Sequence, residues 1–208
     1  TALGYNAMGS IVDGLRNTAI GYGAMKDTDS GTTVDGSDDN TFVGYDAGGG
    51  AWVNEDISKI TAIGSQVMRG NLETEASGTV AIGYTALYAL TEGQQNTAVG
   101  YQSMAETTQG DHNTTLGYNA MYRDGGLANV HNTFIGANAG SGDWTGTACT
   151  SNTGVGSSVM EGAMNGATNN TAVGLNGLGA LTTGDNNSAL GRSALLGVTT
   201  GVQNTAVG

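Results

Sequence analysis

Proline is absent from the 208 residues, and cysteine, phenylalanine and tryptophan are scarce, at one, two and two copies. Average usage would place roughly ten prolines in a chain of this length, and collagen needs both abundant proline and glycine at every third position, so a collagen-like helix is excluded. The lone Cys149 rules out an intrachain disulfide framework and a cysteine-based zinc knuckle. Positive charge is also scarce: six Lys and Arg stand against 18 Asp and Glu, giving a net charge of −12 and a pI near 4.1. Phosphate backbones and anionic lipid surfaces would repel such a chain, so no nucleic-acid partner is expected. No apolar run approaches the roughly 18 residues of a helical span, and we expect no membrane insertion. What remains is 37 glycines within a chain that is 38% apolar. That is enough apolar material to form a core, whereas a disordered acidic segment would lack the recurring Ile, Val, Leu and Met.

The glycines are periodic. Aligning the chain on Asn-Thr-Ala-(Ile/Val/Leu)-Gly-Tyr-x-Ala-(Met/Leu) puts the motif glycine at 4, 21, 44, 64, 83, 100, 117, 136, 156, 174, 191 and 208, twelve copies separated by 17 to 23 residues. The residue before each glycine is aliphatic in every copy, from Leu3 and Ile20 to Leu190 and Val207, which reads as a continuous core column. A higher order is also present. Trp52 and Trp144 lie 92 residues apart, and GSQVMRG at Gly64 recurs as GSSVMEG at Gly156, so five copies form a super-repeat. Residues 1–208 are thus a single repeat array, and because both ends fall inside the motif we expect a segment of a longer filament.

A 17-residue unit is too short for a helical-hairpin repeat, and its Thr, Val, Ile and Tyr favour strand and turn. The expected fold is all-β: a β-solenoid, or β-roll, of about twelve rungs of 17 to 23 residues. The first motif position is Asn17, Asn40, Asn96, Asn113, Asn132, Asn152, Asn170, Asn187 and Asn204, a column able to hydrogen-bond from rung to rung as amide ladders do. Where the third position becomes Phe, at Phe42 and Phe134, the ninth becomes Gly, at Gly48 and Gly140. Relief of overpacking would explain that pairing, so the two positions should share interior space. Six of the seven methionines fill the ninth position, which speaks for core rather than metal or redox chemistry. Small and apolar residues on both sides of the chain, Ala and Met/Leu on one and the aliphatic and Tyr columns on the other, imply packing against neighbouring chains.

Segments such as TVAIG at Thr79 and NTAVGYQSM at Asn96 resemble the head repeats of trimeric autotransporter adhesins, and still more the repeats of phage tail-fibre proteins. The resemblance spans the whole chain and implies a left-handed, homotrimeric β-roll with a structural or adhesive role outside the cell, on a cell surface or a virion. It implies as partners further copies of the chain and a host-surface glycan or protein. The 17-residue unit departs from the shorter adhesin head repeat.

Sites for chemistry are few. Asp35, Asp38 and Asp39 supply oxygen donors suited to calcium, although no Glu closes the loop in EF-hand fashion, and a solvated loop is the competing reading. His112 and His131 precede ladder asparagines and should stack, with no third ligand at metal spacing. Trp52 and Trp144 occupy equivalent insertions, either covering their loops or forming an exposed platform for a glycan. No nucleophile elbow, phosphate loop or zinc-protease motif occurs, so neither catalysis nor a cofactor is expected. The leading expectation is therefore a structural shaft or head segment of a trimeric extracellular fibre, with adhesion through its insert loops. An ice-binding solenoid using the Thr column is the alternative, and a fibre-borne glycan hydrolase the third reading.

Overall fold

The computed structural model describes residues 1–9, 11–26, 34–35, 37–52, 57–73 and 76–208, with 11–13 and 34–35 placed by their backbone alone. Among the described residues fourteen short strands alternate with turns: β1 Ala2–Leu3, β2 Ile11–Asp13, β3 Thr18–Ile20, β4 Val34–Asp35, β5 Thr41–Val43, β6 Thr61–Ile63, β7 Val80–Ile82, β8 Thr97–Val99, β9 Thr114–Leu116, β10 Thr133–Ile135, β11 Thr153–Val155, β12 Thr171–Val173, β13 Ser188–Leu190 and β14 Thr205–Val207. Twelve of them form one parallel sheet in sequence order, with β2 and β4 paired separately. The motif sets the register, since Thr97 pairs with Thr114, Ala98 with Thr115 and Val99 with Leu116. This is a β-solenoid: each copy of the repeat contributes one strand of the sheet, and stacking of copies buries what no single copy could.

The motif glycines show why the repeat tolerates no substitution at that point. Gly100 sits at φ 139°, a conformation that side-chain-bearing residues rarely adopt. A Cβ there would also run into the carbonyl oxygen of Gly117 on the next rung. After the glycine the chain turns through two left-handed residues, such as Gln102 at φ 52° and Met104 at φ 53°. Left-handed backbone costs an L-residue roughly 1 kcal/mol or more. Hydrogen bonds between rungs offset it: the Gln102 amide donates to the Tyr84 carbonyl at 3.0 Å and the Met104 amide to the Ala120 carbonyl at 3.0 Å. The turns are therefore laddered as well as the strands.

The core is a narrow column of small and flexible side chains. Motif positions three and nine point inward, so that Ala98, Met104, Met121 and Ala172 are all fully buried. The Phe copies fill the same space: a Cβ on Gly48 would overlap the ring of Phe42, and one on Gly140 would lie 2.8 Å from Phe134 Cδ1. Gly154 completes the second compensation from the next rung, where a Cβ would also fall 2.8 Å from Phe134 Cδ1.

The aliphatic column corrects an expectation. It does not belong to the core of this chain, because a three-residue strand turns its middle residue inward and its outer two outward. Ile63 is 40% exposed, Leu116 48% and Leu190 52%, while Ala62, Thr115 and Ala189 between the outward residues are buried.

Candidate functional site

The asparagine column is continuous over long stretches. Asn132 Nδ2 donates to Asn113 Oδ1 at 3.1 Å and to the Cys149 carbonyl at 2.9 Å, while Asn132 Oδ1 accepts the amide and side-chain NH2 of Asn152. The same pattern carries on through Asn170 and Asn187 to Asn204. The Asn40 amide donates to Asn17 Oδ1 at 2.9 Å, Asn40 Nδ2 donates to the Ile57 carbonyl at 2.6 Å, and Asn40 Oδ1 accepts the amide of Ile60 at 3.0 Å. The ladder is interrupted at Ile60 and Thr79, then resumes at Asn96, whose amide reaches the Thr79 hydroxyl at 3.4 Å. Each ladder asparagine is preceded by a left-handed corner residue, among them Arg16, Asp39, His112 and His131, and Lys59 takes the same conformation before Ile60.

The outer face carries three parallel columns. Thr at motif position two is half-exposed or exposed, the aliphatic residue at position four stands beside it, and the tyrosines at position six stack rung upon rung. Tyr5, Tyr22 and Tyr45 form one stack with centroids 5.3 and 5.5 Å apart. Tyr84, Tyr101 and Tyr118 form another at 5.3 Å throughout. Ser65 separates the two stacks. The aliphatic column runs the length of the sheet, half-buried to exposed, and the two tyrosine stacks widen it into an apolar stripe over the first seven rungs, the kind of surface that marks an interaction site.

Of the two readings of the tryptophans, the structure supports the one in which they cover their loops. Trp52 and Trp144 are buried, packed on Phe42 and Phe134 with centroids 5.6 Å apart in each case. Trp52 Nε1 donates to the Gly48 carbonyl at 3.1 Å. The glycine that makes room for Phe thus also lets the indole close over the ring, and neither tryptophan is available to a sugar.

The acidic loop is engaged internally. Asp39 forms an ion pair with Arg16 at 2.5 Å, and Asp38 accepts the Leu15 amide at 2.6 Å. The guanidinium holds the Asp39 carboxyl below its usual range. The side chain of Asp35 lies outside the described residues. His112 and His131 stack at 5.0 Å, and among the described residues no group of three His, Cys, Asp or Glu could hold a metal ion.

A buried polar cluster lies where sequence reading saw nothing. Asp124 is fully buried, with Oδ2 accepting from the Thr107 hydroxyl at 2.7 Å and Asn129 Nδ2 at 3.3 Å, and Oδ1 accepting the Gly126 amide at 3.2 Å. Burial pushes its carboxyl up to about 6. Asn129 Oδ1 accepts the Cys149 amide at 2.7 Å, and burial pushes the Cys149 thiol up to about 11, away from nucleophilic use. A second internal pair, Ser103 Oγ and Thr115 Oγ1 at 2.6 Å, joins two departures from the alanine rule on adjacent rungs. No protein-family model, curated protein or solved structure matches this chain.

Proposed function

We infer that this chain is a structural segment of a trimeric extracellular fibre, a rod whose rungs hold their insert loops away from the parent surface. The observation that carries the reading is the exposed apolar stripe. Leu116 is 48% exposed and Tyr118 53%; Tyr101 stands on the rung before at 44%, and the aliphatic column runs on through the half-buried Val99 and Ile135. A monomeric surface rarely leaves so long an apolar column in water, whereas packing with copies of the same chain would bury it. Self-association of identical columns about a common axis also keeps rungs in register between chains, as a fibre requires. Repeat regularity, a laddered backbone and the resemblance to fibre repeats support the same conclusion, and the insert loops remain the place where adhesion would reside.

Sedimentation velocity on wild type and on Leu116→Lys with Tyr101→Lys tests the proposal. An elongated particle of several chains that falls apart in the double variant supports it. Identical sedimentation of both proteins as single chains contradicts it.

One observation favours a second reading. The Thr column is in register across the outward face, Thr97 pairing with Thr114 and Thr114 with Thr133, as an ice-binding surface would need. Its neighbour two residues on is an aliphatic column rather than a second Thr column, and thermal hysteresis of the purified chain distinguishes the two functions.

A further inference from the structure

Between the tenth-position residues of three successive rungs lies a groove of about 300 Å³, within the range of small-ligand sites. Its walls are Tyr88 and Tyr122, with Ala105 on the rung between them. At about 4.8 Å per rung, the two tyrosines stand about 9.6 Å apart along the rod. Gln66, Thr85 and Gln102 form the adjoining column, and Glu106 stands at the rim. Thr85 is only 8% exposed, yet its hydroxyl finds no hydrogen-bond partner among the described residues. A buried hydroxyl left unpaired costs stability unless something else satisfies it.

Both walls are braced by the same device. Asp46 accepts from Arg69 Nε at 2.8 Å, and Arg69 donates to the Tyr88 hydroxyl at 3.3 Å. Arg123 donates to Asp143 at 3.1 Å while its guanidinium lies over the Tyr122 ring, 5.6 Å from the centroid. Each arginine is thus neutralised by an aspartate and holds one tyrosine in place. Walls fixed before a ligand arrives reduce the ordering cost of binding.

We propose that this groove is a binding site for a neutral pyranose sugar. The chemistry selects the class. Tyrosine flanks offer apolar contact to the C–H faces of a sugar ring, two amides and the unpaired Thr85 hydroxyl match ring hydroxyls, and a gap of about 9.6 Å is wide for a single planar aromatic ring. With Glu106 at the rim and both nearby arginines paired, no free cation attracts an anion, so sialic acids and phosphates are disfavoured. The site lies within consecutive rungs of one chain and does not rest on assembly into a fibre.

Saturation-transfer-difference NMR on the full chain, with the methyl β-glycosides of glucose, galactose and mannose and with N-acetylneuraminic acid as probes, is the test. We expect transfer to at least one neutral glycoside and none to the acid. Ala105→Trp, which fills the gap, should abolish the transfer, and Tyr122→Ala and Thr85→Val should each weaken affinity about tenfold, the scale of losing one anchor. Tyr118→Ala, on the stacked column outside the groove, should bind as wild type does. Absence of transfer from every neutral glycoside to the wild-type chain overturns the proposal, as does transfer that survives Ala105→Trp or favours the acid. Molar mass measured on the same samples reports assembly separately, so loss of sugar binding at unchanged mass counts against the groove alone.

Discussion

Replacing Asn132 by Ala removes the centre of the amide ladder. Four hydrogen bonds go with the side chain: Nδ2 to Asn113 Oδ1, Nδ2 to the Cys149 carbonyl, and the two that Asn152 donates to Asn132 Oδ1. Some partners keep another bond. Asn152 Nδ2 still reaches the Ala167 carbonyl at 2.8 Å, and the Cys149 carbonyl still accepts the Val130 amide at 3.3 Å. The Asn152 backbone amide has no other acceptor among the described residues, and Asn152 is fully buried. At about 1 kcal/mol net per bond, with a further 1 to 3 kcal/mol for the orphaned donor, and allowing for the partners that keep a bond, the expected loss is about 3 to 5 kcal/mol. Asn204→Ala provides the internal comparison, because that side chain contributes a single ladder bond, Nδ2 to Asn187 Oδ1 at 2.9 Å, and is only half-buried. It should cost about 1 kcal/mol. Urea titration at one fixed protein concentration measures both, and hydrogen exchange at the Asn152 amide localises the effect. Equal losses for the two variants, or a loss below about 1 kcal/mol at Asn132, would refute the assignment of stability to the ladder.

Other consequences are equally concrete. Gly140→Met should cost about 1 to 3 kcal/mol by overpacking against Phe134, although its φ of 63° matches the left-handed methionines of other rungs. Combining it with Phe134→Ala should cost less than the two single losses added, with a coupling of roughly 1 to 3 kcal/mol in a double-mutant cycle, and strict additivity would count against a shared cavity. Asp124 is neutralised more readily in the folded chain, at about 6, than at its ordinary 3.8. The folded state therefore holds the extra proton between those values, and stability should fall as pH rises from about 4 to 6. Asp124→Asn should flatten that part of the pH profile of urea unfolding, whereas an unchanged profile would assign the slope to other groups.

The number of strands in the sheet, their positions and the partnership of Phe42 with Gly48 and Phe134 with Gly140 were legible in the sequence because a repeat presents each site twelve times, so that an exception stands out against its column. The same uniformity misled at the aliphatic column. Constancy of Ile, Val and Leu reads as burial, yet a three-residue strand has room for one inward residue, and alanine already holds it. Trp52 and Trp144 were ambiguous because a loop's side chains can point either way; what decides is the space that Gly48 and Gly140 leave above each Phe. Ser103 and Thr115 could have been paired from sequence, as polar replacements of alanine on adjacent rungs. Asp124 could not, since its partners Thr107 and Asn129 lie outside the motif and meet only through loops of unequal length. The left-handed corner and turn columns had no residue signature either, because Gln, His, Met and Asn occupy them alike and inter-rung hydrogen bonds impose the conformation.

The central claim is that the exposed column of aliphatic and stacked aromatic residues is an interface between copies of this chain. Light scattering after size exclusion tests it most directly. One chain weighs 20.8 kDa, so three should give about 62 kDa and elute earlier than a sphere of that mass. A compact particle of 20.8 kDa with the tyrosine stacks open to water would contradict it.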